Sequence, residues 1–228
     1  MRIVVGQIAA AVASRPALRH NPRLSMDIRV EIERPAPRHL QPAIDALCKG
    51  GVIIYPTDTG YAFGCALSSL KGIARLRKLK GYHDKHPKPL TMLVNEIAAL
   101  GRYGHMGNRV FRVVRRLLPG PYTMVLSATN DVPRQMKNRW HEVGMRVPDH
   151  AVCTMLVDLL GEPLLTGSVT SADAEFELEE PQMYSQRYAR DVQVVVDGGP
   201  LWPEPSTVLK LVDDQIEVLR EGQGEVPE

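Results

Sequence analysis

The stretch Val52-Ile53-Ile54-Tyr55-Pro56-Thr57-Asp58-Thr59-Gly60 passes from a wholly apolar run into a proline, two threonines and an aspartate. Three β-branched residues followed by an aromatic one predict a buried central strand that Pro56 ends. Upstream, Leu40, Ile44, Leu47 and Cys48 have helical spacing, with Pro42 in the first turn and Gly50-Gly51 as the stop. This helix–strand unit displays Thr57, Asp58 and Thr59 at the carboxyl end of its strand, where open α/β sheets bind ligands. Spacing alone leaves two readings open. The three residues either hold a small polar ligand or close the loop as an Asx or Thr turn.

The same alternation continues downstream. Ser68 or Ser69 caps a helix running to about Lys80, with Ile73, Leu76 and Leu79 on one face. Pro89 to Val94 reads as a strand. Asn108 is expected to cap a helix striped by Val110, Phe111, Val114, Leu117 and Leu118, which Pro119-Gly120-Pro121 ends. Tyr122–Ala128 and Val143–Val147 read as strands. Asp149 is then expected to cap a helix carrying Val152, Met155, Leu156, Leu159 and Leu160, with Gly161 at its end. Further strands are predicted at 164–168, 192–196, 206–211 and 215–219, the last two joined by a short turn at Val212-Asp213-Asp214. The expectation is an α/β fold, a single domain over 27–228 with a twisted mixed parallel/antiparallel sheet flanked by helices. Residues 1–25 read as a poorly ordered extension, and Met26 as a candidate start. The apolar segment Ile3–Ala13 ends in Ala-Val-Ala like a cleavage site, but Gly6 and Gln7 interrupt it and only Arg2 precedes it.

Composition narrows the function classes. Of the 228 residues, 44% are hydrophobic and 24% charged, which suits a folded chain rather than a disordered one. No apolar run approaches the roughly 20 residues needed to span a bilayer, so no membrane role is expected. Cys48, Cys65 and Cys153 are widely spaced and odd in number, which favours small buried apolar residues over a disulfide framework or zinc site. His83 and His86 beside Asp84 fall short of the four ligands of structural zinc, and no metal ligand is assigned. Glycine-rich phosphate-loop and dinucleotide fingerprints are absent. The net charge is only +2, but bases gather at 75–88, 109–116 and 134–146 while Asp173, Glu175, Glu177, Glu179 and Glu180 cluster later. That segregation predicts a basic face and an acidic face, the basic one able to hold RNA. The expected setting is intracellular and cytoplasmic.

Five strings in order carry a more specific signal: Tyr55–Cys65, Pro119–Thr123, Met145–His150, Pro205–Val208 and Leu219–Gly222. Over roughly residues 35–224 the chain resembles the YrdC/YciO family, which includes synthases of L-threonylcarbamoyl-AMP for tRNA modification. The resemblance implies ATP as cosubstrate with Mg²⁺, and L-threonine and bicarbonate as the other reactants. It assigns Thr57 and Thr59 to the threonine side, and Lys80 to the phosphates. By the same resemblance Arg146, Ser168, Ser206 and Arg220 are expected to line the nucleotide groove, with Lys80 and Ser168 as the catalytic pair. Four positions depart from the synthases. Lys80-Gly81-Tyr82 replaces Lys-x-Arg, Ser168-Val169-Thr170 replaces Ser-x-Asn, Leu93 stands for a histidine, and Lys210 for an aspartate. These departures resemble the YciO branch and imply weak or altered synthesis. The competing reading is a non-catalytic module for double-stranded RNA or structured tRNA or rRNA, since 5% aromatic content suits shape recognition better than base stacking. A ligand-free scaffold is the third.

Overall fold

The structure, a computed structural model, describes residues 25–82, 90–133, 136, 140–169 and 177–226. In chain order the elements are β1 (Met26–Arg29), α1 (Pro37–Cys48), β2 (Ile53–Thr57), β3 (Gly60–Ala66), α2 (Leu70–Leu79) and β4 (Thr91–Leu93). Then come α3 (Ile97–Tyr103), β5 (Gly104–His105), α4 (Asn108–Leu117), β6 (Tyr122–Ala128), β7 (Glu142–Arg146) and α5 (Ala151–Leu160). The chain closes with β8 (Leu164–Ser168), α6 (Pro181–Arg187), β9 (Val194–Asp197), β10 (Thr207–Lys210) and β11 (Glu217–Arg220).

Among the described residues the strands form one mixed sheet in the order β1-β9-β2-β3-β8-β4-β7-β6-β10-β11, with β5 pairing β6. The fold is therefore α/β, as expected. β2 sends Ile54 to one core and Ile53 and Tyr55 to the other. Burial on both faces is why its sequence is a continuous apolar run. The first core contains Ile73 and Leu76 of α2, Leu100 and Tyr103 of α3, and Val110 and Val114 of α4. The second contains Leu40, Ile44 and Leu47 of α1 with Val152, Leu156 and Val157 of α5. Each fully buried Leu or Ile contributes about 1.5–3 kcal/mol of burial free energy.

Several local expectations are corrected. β2 does not stop at Pro56; it continues to Thr57, and Pro56 pairs with Tyr61 in an antiparallel ladder with β3. β3, buried along its whole length, is not among the strands expected from sequence, because Gly60 and Gly64 break up its pattern. α1 starts at Pro37, so Pro42 lies inside the helix and forfeits a bond to the Arg38 carbonyl. Burial of the helix's four inward residues outweighs that loss. Gly107 rather than Asn108 caps α4, and His150 rather than Asp149 caps α5. Ser69 does cap α2, accepting from the Gly72 amide. The β10–β11 turn holds Asp213 and Asp214 at φ 55° and 56°, and Gln215 donates to the Val212 carbonyl. Two left-handed central residues suit a tight hairpin.

Cys65 and Cys153 are buried but Cys48 is exposed, against the expectation for all three. Residues 1–24 of the expected extension, and His83, Asp84 and His86, lie outside the described residues; Ser25 Oγ donates to the Ser185 carbonyl. No helix among the described residues is long and apolar enough to cross a membrane.

Candidate functional site

The β2–β3 turn is closed by its own side chains. Thr57 Oγ1 donates to the Gly60 carbonyl at 2.7 Å and accepts from the Thr59 amide at 3.1 Å. With the Thr57 proton so used, the 3.2 Å contact between the two hydroxyls makes Thr59 the donor. Gly60 sits at φ +105°, and a Cβ there would lie 2.8 Å from Glu179 Oε2 and 3.0 Å from Pro203. Glycine alone fits. Glu179, expected on a solvated acidic face, is instead buried and accepts from the Tyr61 amide at 2.5 Å. It pins the first residues of β3.

Arg146 closes over this turn from the end of β7. Its Nη1 donates to Thr59 Oγ1 at 2.8 Å and its Nη2 to Asp58 Oδ1 at 2.6 Å. The Arg146 and Asp58 side chains are only 8% and 10% exposed, so water screens the pair weakly. The second Asp58 oxygen accepts from the Asp149 amide at 3.3 Å, just ahead of α5. Among the described residues, Arg146 Nε and both ring nitrogens of His150 are buried without a hydrogen-bond partner. Burial holds the His150 pKa below its ordinary value, against the opposing pull of Asp58 and Asp149. The imidazole is therefore neutral at pH 7. Behind it Cys153 Sγ lies 3.4 Å from the Pro56 carbonyl, and burial raises its thiol pKa.

The other sequence-predicted residues fall on either side of this centre. Lys80 Nζ donates to the Ser168 carbonyl at 2.5 Å, so these two come together at the end of β8. That end joins the turn, because Ser168 pairs with Ala62 and the Val169 amide donates to the Tyr61 carbonyl. On the far side Ser206 Oγ lies 2.9 Å from Thr123 Oγ1 on β6. Arg220 Nη2 donates to the Ser206 carbonyl at 2.7 Å and to its hydroxyl at 3.2 Å. Thr123 is one register step beyond the Met124–Met145 pair, beside Arg146. A polar path thus runs from Lys80 and Ser168, through Thr57, Thr59 and Arg146, to Thr123, Ser206 and Arg220.

Three participants were not among the residues singled out from sequence for the site: Thr123, His150 and Glu179. The first two lie inside the quoted strings, and their position was the available signal; nothing marked Glu179 as buried. Of the departing positions, Tyr82 packs against the core and burial raises its phenol, while Leu93 is buried in the α1–α5 core. Lys210 Nζ lies 2.7 Å from Glu142 Oε1. Thr170 lies outside the described residues.

The sequence model of the Sua5/YciO/YrdC family, described as telomere recombination, matches residues 45–222. The chain belongs to this family. Among curated Sua5/YciO/YrdC relatives, YciO of Escherichia coli K12 is 33% identical over 204 residues, covering 89% of this chain and 98% of the relative. A threonylcarbamoyl-AMP synthase of Bos taurus is 30% identical over 165 residues, or 71% of this chain but 57% of the synthase. The crystal structure of E. coli YciO superposes with a TM-score of 0.82 at 33% identity, covering 88% of this chain and 97% of that one. P. abyssi Sua5 complexed with L-threonine shares the fold at a TM-score of 0.73 and 23% identity, over 87% of this chain and 58% of that one.

Proposed function

We propose that the chain binds an adenine nucleotide along the path from Lys80 to Arg220 and performs threonylcarbamoyl-AMP chemistry weakly or in altered form. In that chemistry threonine and bicarbonate give a carbamate, whose oxygen attacks the α-phosphate of ATP and releases pyrophosphate. Positioning and charge neutralisation dominate such a step. Lys80 supplies a cation beside Ser168, while Ser206 and Arg220 supply a hydroxyl and guanidinium for the nucleotide. Thr57 and Thr59 stand on the threonine side. The donor set suits a polyphosphate. Mg²⁺ would arrive with the phosphates, since the nearby carboxylates of Asp58 and Glu179 already accept hydrogen bonds. A cytoplasmic setting follows from ATP and tRNA as the partners of this chemistry.

One observation points to weak activity. Arg146, assigned to the nucleotide by resemblance, already gives Nη1 to Thr59 and Nη2 to Asp58. A phosphate must compete with a buried carboxylate for it. Titration with ATP, with and without threonine and bicarbonate, tests the reading by pairing calorimetry with pyrophosphate release. ATP binding with slow release is expected; release at the rate of a dedicated family synthase assayed alongside overturns it.

A second reading, RNA binding, is favoured by α4. Arg109, Arg112, Arg115 and Arg116 are all exposed on a helix with no acidic residue between Asn108 and Leu117. Four phosphate contacts would steepen the log–log salt dependence on duplex RNA by about 0.9 each. Replacing Arg112, Arg115 and Arg116 with alanine should weaken binding; unchanged affinity removes α4 from the interface.

A further inference from the structure

We propose that Asp58 is a resident anion, whose carboxylate fills an oxyanion site built by Arg146 and the start of α5 and yields it to a ligand's carboxylate or phosphate. The proposal deepens the nucleotide reading only in placing that ligand's anion beside Arg146. One Asp58 oxygen takes Arg146 Nη2 at 2.6 Å and the other the Asp149 amide at 3.3 Å. Asp149 leads into the positive end of α5, a ten-residue helix whose cap, His150, makes no side-chain capping bond. Arg146 is only 7% exposed, yet its Nε is buried without a partner among the described residues, so the guanidinium keeps one donor unused. Meanwhile the turn does not depend on the Asp58 carboxylate. It is held by Thr57 Oγ1 on the Gly60 carbonyl and by the Thr59 amide on Thr57 Oγ1. The carboxylate can therefore leave Arg146 without unmaking the turn.

A buried cation that loses its counter-charge is strongly disfavoured, so neutralising Asp58 creates a demand for an anion from solution. The test uses the full chain carrying Asp58→Asn, its thermal midpoint followed in phosphate, acetate and chloride at matched ionic strength. The variant should melt lower than wild type in chloride. It should recover by on the order of 5–10 °C when the effective anion stands about a hundredfold above its dissociation constant. A larger response to phosphate names a phosphate-type ligand, and an equal or larger response to acetate a carboxylate. Asp58→Ser serves as the companion should the asparagine variant not accumulate. Adding Arg146→Met to either should abolish the recovery. An anion response no greater than that of wild type, or variants that stay unfolded in every anion, overturns the proposal. Calorimetry with ATP is scored separately: if neither protein binds it, the nucleotide reading falls while the melting result still decides the role of Asp58.

Discussion

Arg146 and Asp58 meet at 2.6 Å although the turn bearing Asp58 is separated from β7 by β8 and β4 in the sheet order. Strands twist by roughly 20–25° each, which carries the end of β7 and the start of α5 back toward that turn. Because both side chains are about nine-tenths buried, removing one partner should be costly. Arg146→Ala or Asp58→Ala is expected to lose about 3–5 kcal/mol in urea unfolding. Replacing both together by apolar residues, Arg146→Met with Asp58→Leu, should cost less than the sum. Additive losses would mean that the pair is not energetically coupled.

Lys80→Ala should weaken ATP binding by about tenfold or more, the value of one charge-assisted hydrogen bond. Calorimetry at fixed salt measures it. Lys80→Arg should recover part of the loss, since the charge remains. Wild-type affinity in the alanine variant would take Lys80 out of the phosphate contacts.

Acid should destabilise the protein partly through His150. Its folded pKa lies below the ordinary 6.5 because burial disfavours the charged ring. The unfolded chain then binds the extra proton first, so this contribution is full above pH 6.5 and is lost as pH falls from 6.5 through the folded pKa. Unfolding midpoints across pH 7 to 5 should fall less steeply for His150→Asn than for the natural chain.

The three thiols should react in two classes. Cys48 is exposed, whereas Cys65 and Cys153 are buried, with the Cys65 pKa pushed up to about 12. A thiol reagent at pH 8 should label Cys48 alone until denaturant is added, as intact-mass spectrometry would record. Rapid labelling of all three without denaturant would contradict the burial of the other two.

The double change Tyr82→Arg with Thr170→Asn should raise threonylcarbamoyl-AMP synthesis. It restores a guanidinium fork and an amide donor, and one preorganised donor is worth on the order of a hundredfold in rate. Because the Tyr82 ring packs against the core, thermal unfolding should accompany the assay. A folded variant no faster than its parent would show that other positions limit the reaction.

What could be read from sequence follows from how locally each feature is encoded. The run from Val52 to Tyr55 announces a buried strand by itself, and Ser69 announces a helix start. β3 does not, because burial on both faces removes the polar alternation and its glycines mimic a loop. Gly64 is there because a Cβ would lie 2.7 Å from the Tyr55 ring. The threonines of the turn were visible, and the turn-closing reading of them holds, since Thr57 closes the loop on the Gly60 carbonyl while Thr59 receives Arg146. The Asp58–Arg146 bond spans 88 residues and depends on sheet twist, which no local pattern records. Likewise Glu179 sits in an acidic run, and its bond from the amide of Tyr61, 118 residues away, is not encoded locally.

During synthesis β2 leaves the ribosome well before its outer neighbour exists. Val52 donates to the Gln193 side chain, 141 residues further on, and β2 then pairs with β9. At about 5–20 residues per second, that gap lasts on the order of ten seconds. The β2–β3 hairpin can form early, but through that interval the other edge of Ile53 and Ile54 is open to any nascent strand nearby. Slow translation between residues 66 and 194 would lengthen the exposure, and a chaperone holding apolar strand edges would act within it.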